Sequence, residues 1–168
     1  MKTGRPPLAD DESILKATFI MFAEHGYDAT SVSLINRKLG LSHSTIHQRF
    51  GNKKRLWYAA VDYGFKQFKD DLGIFIQRED IHSSDDLSSI KGMINSLIRV
   101  MAKHPEMLNL IYHEGISGSE RLDEIFQRYI KPMIAYSDEL LKRLQSQRDV
   151  ISISSRELFF LVIYGAGA

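Results

Sequence analysis

Apolar residues recur every three or four positions along most of the chain, beginning with Ile14, Phe19 and Phe22. This spacing places the apolar side chains on one face of a helix. Asp10 precedes the stripe and is expected to cap this first helix, which Gly26 is expected to end. No segment shows the strict alternation of apolar and polar residues that is typical of a half-buried strand, so the pattern predicts an all-α fold.

Two short helices are predicted to follow the first one. Thr30 or Ser31 is placed to cap the earlier of the two, and Gly40, which tolerates a positive φ, is expected just after its end. Ser42 is placed to cap the later one, which Gly51 would end. A longer helix followed by two short helices with a tight turn between them is the layout of a helix-turn-helix unit.

The rest of the chain predicts longer helices and a second domain. They run from Lys53 to about Gln77, from Leu87 to Lys103, from Pro105 to Ile116 and from Glu120 to Gln147, with a kink at Pro132 and a capping box at Ser154 and Glu157 ahead of a last helix. We therefore predict a helix-turn-helix domain with a basic N-terminal arm at residues 1–52. Residues 53–168 are predicted to form a helical domain for effector binding and dimerisation.

The last apolar run, Leu158 to Tyr164, is followed only by small residues up to Ala168. This run is too short to cross a bilayer, which needs about 20 residues, so no membrane partner is predicted. We interpret it as a packing helix that is cut short, and the sequence thus predicts a truncated C-terminus.

The net charge of +1 conceals an uneven distribution. Residues 1–58 hold nine Lys and Arg against five Asp and Glu, whereas the remainder holds thirteen against sixteen. We call residues 1–58 the head and the remainder the body. Because the head is basic and the body acidic, the head is expected to bind a polyanionic partner. The absence of cysteine excludes disulfides and thiolate chemistry, and with no visible signal peptide it predicts a cytoplasmic location.

The second short helix carries a polar face that suits base recognition. If Ile46 and Phe50 point to the core, a rotation of about 100° per residue turns the polar side chains outward. These side chains are His43, Ser44, Thr45, His47 and Gln48. Because a glutamine can bond an adenine edge through two hydrogen bonds, they are predicted to read the major groove. The alternative is an ordinary solvated face.

The long helix that follows the second short helix begins with three cationic residues. Lys53, Lys54 and Arg55 occupy its first turn, although the macrodipole disfavours cations there by about 0.3–1 kcal/mol each. A bound phosphate would supply the missing anion. Further phosphate contacts are predicted for Arg49 and for the hydroxyl groups of Thr30, Ser31 and Ser42.

The N-terminal arm contains a second basic element, Gly4-Arg5-Pro6. Arg5 is predicted to enter a narrow minor groove, as arginines of extended arms do in A·T-rich DNA. The alternative is a tail that makes no such contact.

These residues together resemble the DNA-binding domain of the tetracycline-repressor (TetR) family. The resemblance runs from Ile14 to Val61 and rests on Phe22-Ala23-Glu24-His25-Gly26-Tyr27, Ala29-Thr30-Ser31-Val32, Leu39-Gly40-Leu41-Ser42, Thr45-Ile46, Phe50 and Asn52-Lys53. It implies that His43, Ser44, Thr45, His47 and Gln48 face the operator, and that Thr30 and Lys53 hold phosphates. Two positions depart from the family pattern: Asn36 replaces the usual alanine, and His47 the usual tyrosine.

The resemblance also implies a body that binds an effector among its helices and dimerises through its last two helices. Candidate effector contacts are Met93, Met101, Tyr112, His113, Phe126 and Tyr129. The alternative for each residue is a place in the core. His113 and Glu114 would either orient a ligand or form an ion pair between helices.

The sequence as a whole predicts a DNA-binding transcription regulator, specifically a repressor that a small-molecule effector releases from a palindromic operator. A base contact discriminates by about 1–3 kcal/mol and a genomic site requires about 4–10 kcal/mol, so a homodimer is expected. One alternative is an effector-independent or nucleoid-associated DNA-binding regulator with a filled helical core. Another is an all-helical enzyme or carrier, but no metal, cofactor or catalytic motif supports enzymatic activity.

Overall fold

The computed structural model describes residues 10–79, 85–147 and 152–166, and this part of the chain is helical without any strand. The helices are α1 (Asp11–Ala29), α2 (Val32–Lys38), α3 (Thr45–Phe50), α4 (Lys53–Arg78), α5 (Asp86–Lys103), α6 (Pro105–Ser117), α7 (Glu120–Ile125), α8 (Lys131–Gln147) and α9 (Ser155–Ala166), with a π-helical turn at Phe126–Ile130 between α7 and α8. The predicted all-α fold is confirmed.

The chain divides into two compact units. The first ends at Lys66 and the second begins at Gln67, so the boundary falls inside α4 and this helix belongs to both units. The sequence places its boundary between residues 52 and 53, in the loop ahead of α4. That functional division stays a prediction.

The first unit is held together by one apolar core to which all four of its helices contribute. Ile14 and Phe22 of α1, Ile35 of α2, Ile46 of α3 and Trp57 of α4 are all at most 1% exposed. A core shared in this way fixes the two short helices against the two longer ones, because neither short helix could bury its apolar face alone.

Local signals in the sequence set the ends of these helices. The Asp10 side chain accepts a hydrogen bond from Ser13 N at 2.8 Å and caps α1. Gly26 interrupts the regular helix with a φ of 77°, although one more turn follows before Ala29. Ser31, rather than Thr30, caps α2. Gly40 has the predicted positive φ, at 63°.

The second unit is built around the packing of α5 against α8 and α9. Ile90, Leu140, Leu141 and Leu144 form a buried cluster at this contact. At the rim, Arg143 Nη2 of α8 donates to Asp86 Oδ1 of α5 at 2.7 Å. The predicted capping box of α9 is confirmed, since Glu157 N donates to Ser154 Oγ and Ser154 N donates to Glu157 Oε2.

The irregularity expected at Pro132 lies just ahead of it. Because proline has no N–H, the carbonyl of Arg128 receives no helical bond from Pro132. The helix widens into the π turn at Phe126–Ile130, and Lys131 N donates to Phe126 O, five residues back. The structure thus has a π turn directly before the proline.

The close packing of α1 on α4 can be tested at Gly64. A Cβ there would lie 2.5 Å from the ring of Phe19, whose side chain is buried. Overpacking costs about 1–3 kcal/mol and exceeds the helix-propensity gain, so Gly64→Ala is expected to lower the free energy of unfolding by about 1–2 kcal/mol. Urea denaturation followed by circular dichroism measures this change.

Gly73→Ala is the matched control on the same helix, because a Cβ at Gly73 meets nothing within 4 Å. This substitution is expected to raise the free energy of unfolding by up to about 1 kcal/mol. Equal stabilisation by both substitutions would show that α1 does not pack closely at Gly64.

Candidate nucleic-acid interface

The turn between α2 and α3 determines where the polar face begins. α3 starts at Thr45, three residues after the predicted cap at Ser42, and Ser44 occupies the cap position without a side-chain hydrogen bond. The hydroxyl groups of Ser42 and Thr45 lie 2.7 Å apart. Because Ser42 is bonded to this hydroxyl, its predicted role as the helix cap is corrected.

Four of the predicted base-reading residues lie together on the surface. His43, Ser44, His47 and Gln48 are all exposed, in the turn and along the first part of α3. His47 Nδ1 lies 2.9 Å from the carbonyl oxygen of Gly51. Since a carbonyl only accepts, Nδ1 must donate, which leaves Nε2 of the neutral ring as an acceptor toward base amino groups.

Two threonines of the predicted interface are buried instead. Thr30 is fully buried, and its hydroxyl donates to Gly26 O at 2.8 Å, across the interruption in α1. Thr45 is 6% exposed and its hydroxyl is bonded to that of Ser42. The predicted phosphate contact of Thr30 and base contact of Thr45 are therefore corrected, because both hydroxyl groups are used inside the head.

The first turn of α4 presents the predicted cluster of cations without any acid. Asn52 caps the helix, since its Oδ1 accepts from Arg55 N at 2.9 Å. Lys54 and Arg55 are exposed. Lys53 is half-buried, with Nζ 4.2 Å from the centre of the Tyr27 ring. Lys54 and Arg55 are therefore the more accessible charges for an external phosphate.

Two further predicted phosphate contacts have partners within the head. Arg49 Nε lies 2.9 Å from Asp11 Oδ1, which joins the end of α3 to the start of α1. The exposed Ser31 Oγ accepts from Leu34 N at 3.1 Å. A phosphate contact by Arg49 would require an exchange with Asp11, whereas the Ser31 hydroxyl keeps its proton for donation. Both contacts stay predictions. Arg5 lies outside the described residues.

Asn36 has a structural role that the sequence marked only as a departure from the family pattern. This side chain is 3% exposed, and its Nδ2 donates to the carbonyl oxygen of His43 at 3.1 Å. The bond ties α2 directly to the turn that carries the exposed polar residues. Its Oδ1 has no hydrogen-bond partner among the described residues. The sequence signal for this role was the position of Asn36, a polar residue next to the core residue Ile35.

The predicted effector contacts do not come together in the body. Within the described part of the chain, Met93 is the only one of the six that lines the half-open pocket among α4, α5, α8 and α9. Met101 and Phe126 are in the core, and Tyr112 is 55% exposed. His113 and Tyr129 are half-buried away from this pocket. The six predicted effector contacts therefore do not form one site, and effector binding by any of them stays a prediction.

Glu114 forms an ion pair with Arg121, which the sequence left open as the alternative to a role in ligand binding. The carboxylate is 1% exposed, and its Oε2 accepts from Arg121 Nε at 2.8 Å and from Ser119 Oγ at 2.6 Å. These bonds join α6 to the start of α7. Glu114 is thus a structural residue, and the interpretation of an ion pair between helices is confirmed.

Metal centres and membrane-spanning helices have no candidate among the described residues. Among residues 10–79, 85–147 and 152–166, no group of three or more His, Asp or Glu side chains could hold a metal ion. No helix in the same ranges is long and apolar enough to cross a membrane.

Comparison with known proteins shows what the first part of the chain is similar to. Residues 14–60 match the model of bacterial regulatory proteins of the tetR family. The chain is 23% identical over 132 residues to IcaR of Staphylococcus epidermidis, which is named a negative transcriptional regulator of the biofilm operon icaADBC. The matched region covers 78% of this chain and 67% of that protein. It is 27% identical over 166 residues to the transcriptional repressor SCO4008 of Streptomyces coelicolor, covering 95% of this chain and 78% of that protein.

A shorter sequence match is to another transcriptional repressor, and a solved structure shares the fold. The transcriptional repressor ComR of Escherichia coli is 29% identical over 83 residues, 48% of this chain and 40% of that protein, so the chain spans less than half of this relative. The structure of an HlyIIR mutant with a thrombin-cleavable linker superposes with a TM-score of 0.68 at 22% identity, over 90% of this chain and 81% of that one. The resemblance inferred from the sequence is confirmed.

The cations of α4 can be tested by their contribution to salt-dependent DNA binding. We expect Lys54→Ala/Arg55→Ala to weaken binding to a duplex about tenfold or more. The slope of log affinity against log salt should fall by about one to two units, because each phosphate contact contributes about 0.9. Fluorescence anisotropy at several KCl concentrations measures both quantities.

Lys66→Ala/Lys69→Ala is the matched control. It removes the same charge from exposed positions of α4, about 20 Å further along the helix. Its salt slope should equal that of the unmodified protein. If the slope of log affinity against log salt falls equally in both double variants, the effect is due to net charge and the first turn of α4 does not bind phosphate.

Proposed function

We propose that this regulator of the tetracycline-repressor family represses transcription as a homodimer, which binds a palindromic operator and is released by a small molecule. The observation that carries the proposal is the exposed polar face of His43, Ser44, His47 and Gln48 beside a helix start that holds only cations. Relatives named as negative regulators or repressors support repression rather than activation. Bacterial operators lie in the cytoplasm, so the proposal includes a cytoplasmic location.

The proposed contacts with DNA are of two kinds: contacts with base edges, which recognise the sequence, and contacts with backbone phosphates, which position the protein. α3 lies in the major groove, where Gln48 bonds an adenine edge and His47 accepts through Nε2 from a base amino group. Lys54 and Arg55 bind backbone phosphates, helped by the N-terminal dipole of the 26-residue α4. These backbone contacts set the register of the head and carry no base preference of their own.

Dimerisation follows from the small number of base contacts that one head can make. A six-residue helix and the turn before it, from which only His43, Ser44, His47 and Gln48 are proposed to read bases, discriminate too weakly by themselves for a genomic site. Exposed apolar side chains on α9 support the last helices as the interface. Leu161 is 63% exposed, and Tyr164 is 52% exposed and stacked on Phe160 at 6.0 Å. A second copy would remove these side chains from water.

The proposed transmission of the effector signal runs through α4, because this helix belongs to both units. In the second unit, Asp71 of α4 accepts from Lys103 Nζ at 2.7 Å and lies 2.7 Å from His104 Nε2, at the junction of α5 and α6. Hydrogen bonds from Lys103 and then from His104 hold the pKa of Asp71 below its usual value, which keeps this carboxylate charged. A shift of α5 would therefore displace α4 as well.

The small size of the pocket among α4, α5, α8 and α9 favours a second candidate function. Its volume is about 70 Å³, whereas pockets for drug-sized ligands occupy about 300–1,000 Å³. A regulator with a filled core would bind DNA without any effector. A small molecule that stabilises the protein thermally and also lowers its DNA affinity would decide in favour of effector control.

Selection of bound duplexes from a random pool tests the proposed operator. We expect an inverted repeat whose half-site centres are one helical turn apart, about 34–36 Å, or a multiple of this distance. Gln48→Ala should relax the preference at one base pair in each half-site, with a loss of about 1–3 kcal/mol of discrimination. Enrichment of a single unrepeated site would contradict the dimer, and no enrichment at all would contradict sequence-specific repression.

A further inference from the structure

The turn between α2 and α3 is attached to α2 through Asn36, which uses both its backbone and its side chain. The carbonyl oxygen of Asn36 accepts from Leu41 N at 2.8 Å, and its Nδ2 donates to His43 O at 3.1 Å. Asn36 is 3% exposed, so the side-chain bond is sheltered from competing water. One buried residue therefore holds the turn at two points, on either side of Ser42.

The amide of Asn36 is only half satisfied by this arrangement. Because a carbonyl oxygen only accepts, the amide must present Nδ2 to His43 O, and its Oδ1 then points elsewhere. This Oδ1 is buried and has no hydrogen-bond partner among the described residues. An unpaired buried acceptor is unfavourable for stability, and an alanine at this position would avoid it. Local costs of this kind are expected at functional sites, where another requirement outweighs stability.

The backbone just ahead of α3 depends on this bond for its orientation. Ser44 occupies the cap position of α3 but makes no side-chain hydrogen bond there. In the described part of the chain, no donor other than Asn36 Nδ2 bonds to His43 O. Since the peptide group is planar, the direction of this carbonyl sets the plane that contains the Cα atoms of His43 and Ser44. Asn36 thus orients the backbone from which these two exposed residues project.

We propose that Asn36 is a positioning residue for base recognition, which holds the His43 carbonyl so that the His43 side chain meets its base pair in one orientation. The inference rests on the proposed function, in which His43 belongs to the polar face that reads bases. Asn36 is buried and acts only through His43. Its contribution is to specificity, because a side chain on a fixed backbone favours the one base edge that matches its hydrogen bonds.

The test compares the base preferences of Asn36→Ala and of the unmodified full chain. Duplexes are selected from a random pool, and affinities are then measured for every single-base change of the selected operator. His43→Ala and Gln48→Ala identify the base pairs that these two side chains contact, as the positions where each variant loses its preference. We expect Asn36→Ala to lose about fivefold to tenfold of the discrimination at the His43 base pair, which is part of what one base contact supplies. Discrimination at the Gln48 base pair should change less than about twofold, because Ile46 holds α3 in the core.

A double-mutant cycle tests whether Asn36 acts through His43. In the His43→Ala background, Asn36→Ala should cause no further loss of discrimination at that base pair, because the side chain that Asn36 orients is gone. An equal further loss in this background would overturn the inference.

Thr18→Ala is the matched control in the same unit. Thr18 is also fully buried, and its Oγ1 has no hydrogen-bond partner among the described residues, so it makes no bond to the turn. This variant should keep the preference at the His43 base pair at a temperature where circular dichroism shows both variants folded. If Thr18→Ala relaxes that preference as much as Asn36→Ala does, the effect is due to looser packing and the inference is overturned.

Failure of this inference can be distinguished from failure of the proposed function. If Asn36→Ala weakens binding to all duplexes by the same factor and keeps the preference at the His43 base pair, the inference is overturned and sequence-specific DNA binding stands. If His43→Ala relaxes no base pair whereas Gln48→Ala does, the inference is likewise overturned and recognition by α3 stands. If the unmodified protein selects no duplex at all, the proposed function fails and the inference fails with it.

Discussion

The burial of Ile46 is the constraint on which the candidate interface depends. α3 has only six residues, far fewer than the twelve or so that an isolated helix needs to be stable in water. It is helical because Ile46 is fully buried in the shared core of the head. Asn36 fixes the turn before α3, and the Arg49–Asp11 pair fixes its end. The core therefore fixes the orientation of the exposed residues His47 and Gln48, although α3 would not be stable as an isolated helix.

The sequence predicted most parts of the fold that depend on local chemistry, although Ser42 does not cap α3 as expected. Helix caps such as Asp10, the positive φ of Gly40 and the capping box of α9 follow from interactions within four residues, and the structure has them all. The predicted bounds of α5 and α6 differ from the observed ones by one residue. Short-range signals of this kind are written in the sequence because both partners lie in the same turn.

The site was predicted less completely, because burial depends on the tertiary structure. Thr30 and Thr45 were expected on the surface, but a threonine hydroxyl can be satisfied inside a small head by one carbonyl or one serine. The predicted effector residues do not lie together, for a related reason. Met93 lines a pocket to which four helices contribute, and composition alone does not tell which Met or aromatic residues meet there.

The most direct test of the account is the affinity of Ile46→Ala for duplex DNA, measured together with its helical content. Loss of this fully buried side chain costs about 2–5 kcal/mol and should release α3, so we predict that DNA binding is lost while circular dichroism keeps the helices of the second unit. Ile74→Ala on α4, where the side chain is 46% exposed, should bind normally. Unchanged DNA affinity of Ile46→Ala would contradict the claim that the core of the head presents the reading helix.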